Sequence, residues 1–426
     1  MTSQTWKITP TSATAHPMDT LANPIDTLMP NVPSYPLEIE LEIELEKSRA
    51  ETDQLFSILA DESLYDRPLP QRHRIIFYLG HLEAFDWNQI GRQNLGESHI
   101  HPTFDRLFER GIDPEPGRLP SDQPSDWPSL QEARAYVRQV RERLDKIWSH
   151  ATPEFCQTVI EHRWMHAEML AYQLHNMPHE KKRNFGSVEH ASKPALVDGR
   201  FITIPAGVAT LGRKRNGNFG WDNEFDEHAA DIPAFSISKY KVTNGEYLAF
   251  VNEGADPPHF WTRVGDEWFY RGMFDVVPLP LDAPVYGTQT QAEAYARWRG
   301  MSLPTEEEFH RAAYATPEGA EQEFPWGADA GHPDVHGNFD FQHWDPLPVT
   351  AHPGGRSAFG VAQMVGNGWE WTRTVFAPFA GFEAQPNYPG YSADFFDGKH
   401  FVLKGASPRT ASLLTRRSLR NWFRPD

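Results

Sequence analysis

The spacing of apolar residues changes near residue 198 and divides the chain in two. Before that point four segments have helical texture. Residues 37–60 (LEIELEIELEKSRAETDQLFSILA) begin with Leu and Ile alternating with Glu, a period that would also suit a strand. The absence of turn residues and the continuation AETDQLFSIL favour a helix. A second helix is predicted through PQRHRIIFYLGHLEAFDWNQI, ending near Leu95 and Gly96. A loop is expected next, because GIDPEPGRLPSDQPSDWP is too dense in Pro, Gly and Asp for regular structure. The third helix, SLQEARAYVRQVRERLDKIWSH, starts on a Ser129 cap. The fourth, TPEFCQTVIEHRWMHAEMLAYQLHNM, has Thr152 as cap and Pro153 in its first turn, and Pro178 stops it. Helices of these lengths predict an antiparallel four-helix bundle over residues 37–178.

Residues 1–36 are rich in Pro, Thr and Ser without periodicity and read as a mobile tail. The polar stretch 179–197 reads as a linker. From 198 to 426 short apolar runs alternate with Gly, Pro, Asn and Asp, and two helices stand out, NGEYLAFVNEG and TQAEAYARWRG. This texture predicts an α+β domain with irregular loops.

With 39 % hydrophobic and 13 % aromatic residues, the chain supports well-buried cores rather than disorder. A net charge of -18 repels phosphate backbones, so no nucleic-acid partner is expected. No apolar run is long enough for a membrane span, and MTSQTWKITPTSATAHP lacks an apolar signal core. The expectation is a cytoplasmic protein with small-molecule partners, and a homo-oligomer stays open. The single cysteine, Cys156, excludes an intramolecular disulfide and any multi-cysteine metal site.

Candidate chemistry lies on the helices. His162 and His166 stand four apart, which puts both imidazoles on one helix face within reach of one ion. His81 lies in the second helix, where Phe77 and Phe85 mark its face as inward. Three neutral imidazoles suit a borderline divalent metal such as iron(II), and Glu168 is a candidate acceptor for a ligand N–H. Nineteen histidines supply roughly one His-x-x-x-His pair by chance. His175 and His179 form another such pair, which Pro178 interrupts. On the residues alone, a metal centre and satisfied core histidines are equally good readings.

In order, SISKYKVTNGEYLAFVNEG, ARWRGMSLPTEEEFHRAA, FPWG, MVGNGWEWT and VLKGAS resemble the signature segments of the formylglycine-generating-enzyme (sulfatase-modifying factor) fold, which is C-type-lectin-like. The helical region resembles a DinB-type four-helix bundle with a His-x-x-x-His-x-Glu motif. Together they resemble the sulfoxide synthases of ergothioneine biosynthesis. That resemblance implies Fe(2+) on His81, His162 and His166, with hercynine, a thiol (cysteine or γ-glutamylcysteine) and O2 as substrates. It implies Tyr388 as proton or electron donor, Tyr391 as a wall of the betaine pocket, and Asn421 and Trp422 as betaine contacts. Oxidation of a sulfatase cysteine is not implied, because those enzymes bind copper through a cysteine pair and this chain has only Cys156.

The chain departs from the family pattern at three places. Met165 replaces a Gln beside the second ligand. Phe423 replaces an Asp that pairs with the thiol substrate's ammonium, so a different sulfur donor is expected, or substitution by Asp426 or Glu370. The chain also ends at Asp426, short of the family's last glycine- and arginine-containing strand. Arginines are natural carboxylate clamps, and Arg106, Arg110, Arg118 and Arg420 are placed for the role, although each by itself reads more readily as a surface charge. Related synthases with a selenium or histidine substrate (selenoneine- or ovothiol-type), an O2-independent DinB-like thiol transferase, and a non-catalytic binding module are the competing readings.

Overall fold

The computed structural model describes residues 36–112, 119–183, 201–329 and 331–426. Almost all of the predicted tail, and the predicted linker beyond residue 183, lie outside these residues. The first part holds helices α1 (Leu37–Ser57), α2 (Ile75–Asp86), α3 (Pro102–Arg110), α4 (Leu130–Ile147) and α5 (Pro153–Asn176). Helix α1 forms in spite of its alternating start because Leu41, Leu45, Ser48, Thr52 and Leu55 fall on one buried face at helical spacing. Helix α4 begins on a reciprocal cap, in which Glu132 N donates to Ser129 Oγ (3.3 Å) and Ser129 N donates to Glu132 Oε2 (2.9 Å). The Thr152 hydroxyl does not cap α5; instead the Thr152 N–H donates to Asn94 Oδ1 at 2.9 Å. Helix α1 packs on α5, and α2 packs on α3 and α4.

Two features of the bundle differ from expectation. Helix α2 runs on as a widened π-helical stretch, Trp87–Asn94. Helix α3 lies where a loop was expected. Pro102 occupies its first turn, and the ring of His101 accepts from Phe104 N at 3.1 Å. Asp105 anchors the helix by accepting from Ile100 N (3.1 Å) and the Tyr136 hydroxyl (2.9 Å). The helix brings Phe108 flat against Gly80 of α2, where a Cβ would lie 2.4 Å from the ring. Only glycine allows this approach.

The second part consists of small antiparallel sheets joined by long loops. Strand β1 (Phe201–Ile204) pairs with β4 (Phe235–Ser238), and β2 (Gly207–Leu211) with β3 (His228–Ile232). Strands β5 (Trp261–Val264), β6 (Glu267–Arg271) and β7 (Val276–Pro278) form a three-stranded sheet. Strands β8 (Gly368–Val375), β9 (Phe401–Ala406) and β10 (Asn421–Phe423) form another, with β9 in the middle. Helices α6 (Asn244–Asn252) and α7 (Gln289–Trp298) match the two predicted segments. Helix α8 (Glu306–Tyr314) was not predicted, although Thr305 and Glu308 form a reciprocal cap at its start; a short α9 (Pro333–His336) follows. The Gly-Asn-Gly turn before β8 holds Asn367 at φ 62°. The Asn367 side chain ties three loops together, accepting from Leu347 N (2.8 Å) and Asn338 Nδ2 (3.0 Å) and donating to Gln363 Oε1 (2.9 Å).

The main hydrophobic core does not stop at the boundary between the parts. Leu82, Phe85, Val159 and Ile160 of the bundle share one cluster with Trp221, Met273, Ala411, Leu414 and Leu419. Helix α5 therefore has one face in the bundle and another against the second part. Among the described residues no helix is long and apolar enough to cross a membrane.

Because Gly80 is where Phe108 touches α2, a Gly80→Val variant should lose about 1–3 kcal/mol of stability through overpacking. Its midpoint in urea should fall accordingly. An unchanged midpoint would show that the α2–α3 contact is not tight.

Candidate metal centre

His81 projects from α2 and His162 and His166 from successive turns of α5. One ring nitrogen from each lies within 4.8 Å of the others. Ring centroids are 5.3 Å apart for His81 and His162, 4.8 Å for His81 and His166, and 4.4 Å for His162 and His166. Phe77 stacks on His81 at 4.6 Å and Phe85 on His162 at 3.5 Å, so the two phenyl rings set the imidazole planes. His81 Nδ1 donates to the Phe108 carbonyl at 2.7 Å. That bond fixes the tautomer and leaves the Nε2 lone pair for a metal.

The other two imidazoles show the complementary signature. Neither ring nitrogen of His162, nor Nδ1 of His166, has a hydrogen-bond partner among the described residues, although all three are buried. Unsatisfied buried polar atoms are costly. A divalent ion held by three nitrogens would remove most of that cost, so the donor set fits a metal. Burial drives the pKa of His81 down to about 4 and those of His162 and His166 well below the usual value, and the neighbouring histidines add to the effect. The rings are therefore neutral at pH 7, the form a metal binds. His166 is only partly buried, so the cluster is not sealed from solvent.

A buried charge network fixes the two helices to each other. Arg163, next to His162, donates to Glu83 Oε1 at 3.1 Å and pairs with Asp86. Arg141 donates to the same Glu83 oxygen at 2.9 Å and reaches Asp53 at 2.7 Å. Burial alone would raise Glu83, but Arg163, Arg141 and Arg49 hold its carboxyl down at about 2. Burial outweighs Arg163 at Asp86 and pushes its carboxyl up to about 6. Sequence reasoning missed these residues. Their signal was present in two acids on the otherwise apolar α2 and an arginine between His162 and Trp164.

The second part supplies the opposite wall. Glu161, beside His162, accepts from Arg416 Nη1 at 2.7 Å and from Trp221 Nε1 at 2.8 Å, and Arg416 Nε also donates to Glu224 at 2.8 Å. Trp221 stacks on Tyr391 at 4.0 Å, and the Tyr391 hydroxyl donates to Met165 Sδ at 3.3 Å. The loop carrying Tyr388 is held to the bundle, with Asn387 Nδ2 donating to Thr158 Oγ1 (3.1 Å) and Gln89 Nε2 to the Asn387 carbonyl (3.0 Å). Tyr388 stands edge-on to Phe85 at 5.2 Å and to His162 at 6.1 Å, and burial raises the pKa of its phenol. Trp422 meets the edge of Tyr391 at 5.4 Å and stacks on Phe376 at 4.4 Å. Asn421 Oδ1 accepts from Trp422 N at 2.9 Å. Phe423, 38 % exposed, meets Tyr172 of α5 at 6.4 Å.

Two expected site residues have other duties. Glu168 does not accept from a ligand imidazole. It accepts from Trp369 Nε1 (2.7 Å), Ser407 Oγ (2.5 Å) and Thr410 Oγ1 (2.8 Å), and so docks the second part on α5. Two residues along a helix is a rotation of about 200°, which turns Glu168 away from His166; the Phe108 carbonyl takes the expected role at His81. Arg420 is neither a surface charge nor a carboxylate clamp. It is buried, paired with Glu306 at 3.0 Å, and donates to the Ala377 carbonyl at 3.0 Å. Arg106 is exposed, whereas the Arg110 side chain and Arg118 lie outside the described residues. Glu370 is paired with Lys241 at 2.5 Å, and Asp426 is exposed. His175 and His179 hydrogen-bond the carbonyls of Arg271 (2.8 Å) and Gly272 (3.0 Å), so each is satisfied without a metal.

The lowered histidine pKa values set a pH dependence. The unfolded chain takes up protons near pH 6.5, whereas the fold resists them, so unfolding binds protons as pH falls. Stability of the metal-free protein is full above pH 6.5 and should decline below it, by roughly 1.4 kcal/mol per pH unit for each such histidine, toward the lowered values. Unfolding midpoints measured from pH 7 to pH 5 should fall less steeply in His162→Phe. Equal slopes in the two proteins would contradict the burial of a neutral ring.

Known proteins share both halves in the same order. The DinB superfamily matches residues 44–182, and the sulfatase-modifying factor enzyme 1-like domain matches residues 187–426. Hercynine oxygenase of Mycolicibacterium smegmatis is 33 % identical over 358 residues, covering 76 % of this chain and 81 % of the relative. Ergothioneine biosynthesis protein 1 of Neurospora crassa is 26 % identical over 479 residues, covering 86 % of this chain; the chain spans about half of that relative's length, 54 %. Formylglycine-generating enzyme of Bos taurus, 26 % identical, matches only 51 % of this chain. Identity of one third across most of an oxygenase that spans both parts is more than a shared fold, and the chain belongs to the hercynine oxygenase family of ergothioneine-biosynthesis enzymes.

Proposed function

We propose that the protein is an iron(II)- and O2-dependent sulfoxide synthase that joins a thiol, such as cysteine or γ-glutamylcysteine, to the imidazole of hercynine. The observation that carries this reading is the set of three neutral imidazoles, with unpartnered nitrogens, beneath a wall of aromatic residues from the second part. His81, His162 and His166 would hold the metal. Iron(II) held by three protein ligands would supply positions for a thiolate and O2, while the four electrons that reduce O2 come from the substrates, two as the C–S bond replaces the S–H and C–H bonds and two as sulfur becomes the sulfoxide, with one water released.

The chain's own residues do the rest. Tyr388 keeps its proton at neutral pH and makes no side-chain hydrogen bond to a described residue, so its Oη is free to donate a proton toward the centre. Trp221 covers one face of Tyr391 and Phe376 one face of Trp422, so a trimethylammonium group would meet the π surface these rings leave uncovered. Phe77 and Phe85 keep water from the imidazole faces. Met165 already accepts the Tyr391 hydroxyl and offers no amide to a carboxylate. Phe423 provides no charge for a substrate ammonium, which favours a second reading of the donor alone, a different thiol or a selenol.

Anaerobic iron(II)-loaded protein given hercynine and cysteine should consume O2 on aeration and yield a sulfoxide adduct at the imidazole. No O2 uptake with any betaine–thiol or betaine–selenol pair, or anaerobic thiol transfer supported by zinc, would overturn the proposal. His162→Ala should lose iron binding. Tyr388→Phe should retain iron and hercynine binding while turnover falls at least ~10²-fold.

A further inference from the structure

Three arginines lie in the segment leading into α2, and two of them are accounted for. Arg67 and Arg74 both pair with the buried carboxylate of Asp122. Arg72, between them, is half-buried and has no carboxylate partner among the described residues. Its guanidinium carbon stands 5.8 Å from the centroid of the Tyr172 ring. The buried Tyr172 hydroxyl interacts with that guanidinium but completes no hydrogen bond of good geometry. A planar cation and a phenol thus share one small region with unused donors.

That region borders the histidine cluster. The charge of Arg72 is felt at His166 and at Tyr78, and the Tyr78 and His166 rings lie 5.9 Å apart. The Tyr172 ring also touches Phe423, at 6.4 Å, on the exposed rim. His166 is the partly exposed member of the three, and it is the one on which the charge of Arg72 acts. A half-buried cation without a counter-ion is costly. Its geometric complement is a carboxylate, which can accept two parallel N–H bonds from the guanidinium.

We propose that Arg72 binds the carboxylate of an amino-acid-derived substrate beside the three histidines. The inference rests on the proposed function, which brings two such carboxylates to the site, one on the betaine and one on the thiol. The shared chemistry is a carboxylate within reach of the metal-bound end of its own molecule.

The test is calorimetric titration of anaerobic iron(II)-loaded protein with two matched pairs: cysteine against cysteamine, and hercynine against its decarboxylated trimethylhistamine analogue. In Arg72→Gln, one carboxylate-bearing ligand should bind about tenfold or more weakly, while its decarboxylated counterpart binds as to wild type. The pair that responds identifies the source of the carboxylate. Arg72→Lys should fall between, and iron content with far-UV circular dichroism reports the fold of each variant. If wild-type protein binds the ligands and Arg72→Gln leaves both affinity ratios unchanged, the inference is overturned while the functional reading stands. If wild-type protein binds none of the four, the functional reading falls and takes the inference with it.

Discussion

Arg163 is completely buried, and the two carboxylates it meets, Glu83 and Asp86, belong to the helix that carries His81. Its neighbour in sequence is His162. One guanidinium thereby locks the rotation and height of α2 against α5, and the separation of three imidazoles follows from that lock. A buried ion pair contributes little net stability, but removing one partner leaves an uncompensated charge. The interaction acts mainly on geometry. Arg141 and Asp53 extend it to α4 and α1, so all four long helices share the same constraint.

The second part is held by contacts that flank the ligands along α5. Glu161 precedes His162 and receives Arg416 and Trp221, and Glu168 follows His166 and receives Trp369, Ser407 and Thr410. Both carboxylates point away from the imidazoles and outward to the α+β part. Rotation about the same helix that turns the histidines inward turns these acids toward the partner layer. Tyr391 of the aromatic wall is thus positioned by residues adjacent in sequence to the metal ligands, through Trp221 on Glu161 and through Met165, whereas Tyr388 is held through Thr158 and Gln89.

The long bundle helices and the three histidines were legible because hydrophobic period and local spacing encode them. The Phe77 and Phe85 stripe correctly marked the inward face of α2. Other features depended on contacts distant in sequence. Helix α3 is short and precedes a run rich in Pro and Gly, so its pattern was lost in the expected loop. Glu168 looked like an acceptor for a ligand because of its place in a motif, and only helical rotation shows that it faces the other way. Arg420 gave no sign that Glu306, far away in the chain, would bury it. Arg72 carried no signal at all, since its meaning lies in the lack of a nearby carboxylate.

X-ray absorption at the iron edge, on anaerobic iron(II)-loaded protein with and without a thiol, tests the arrangement most directly. The expected spectrum shows about three imidazole ligands per iron and gains a sulfur neighbour when the thiol is added. A spectrum without imidazole scattering, or one that a thiol leaves unchanged, would contradict a three-histidine centre that keeps open positions for substrate.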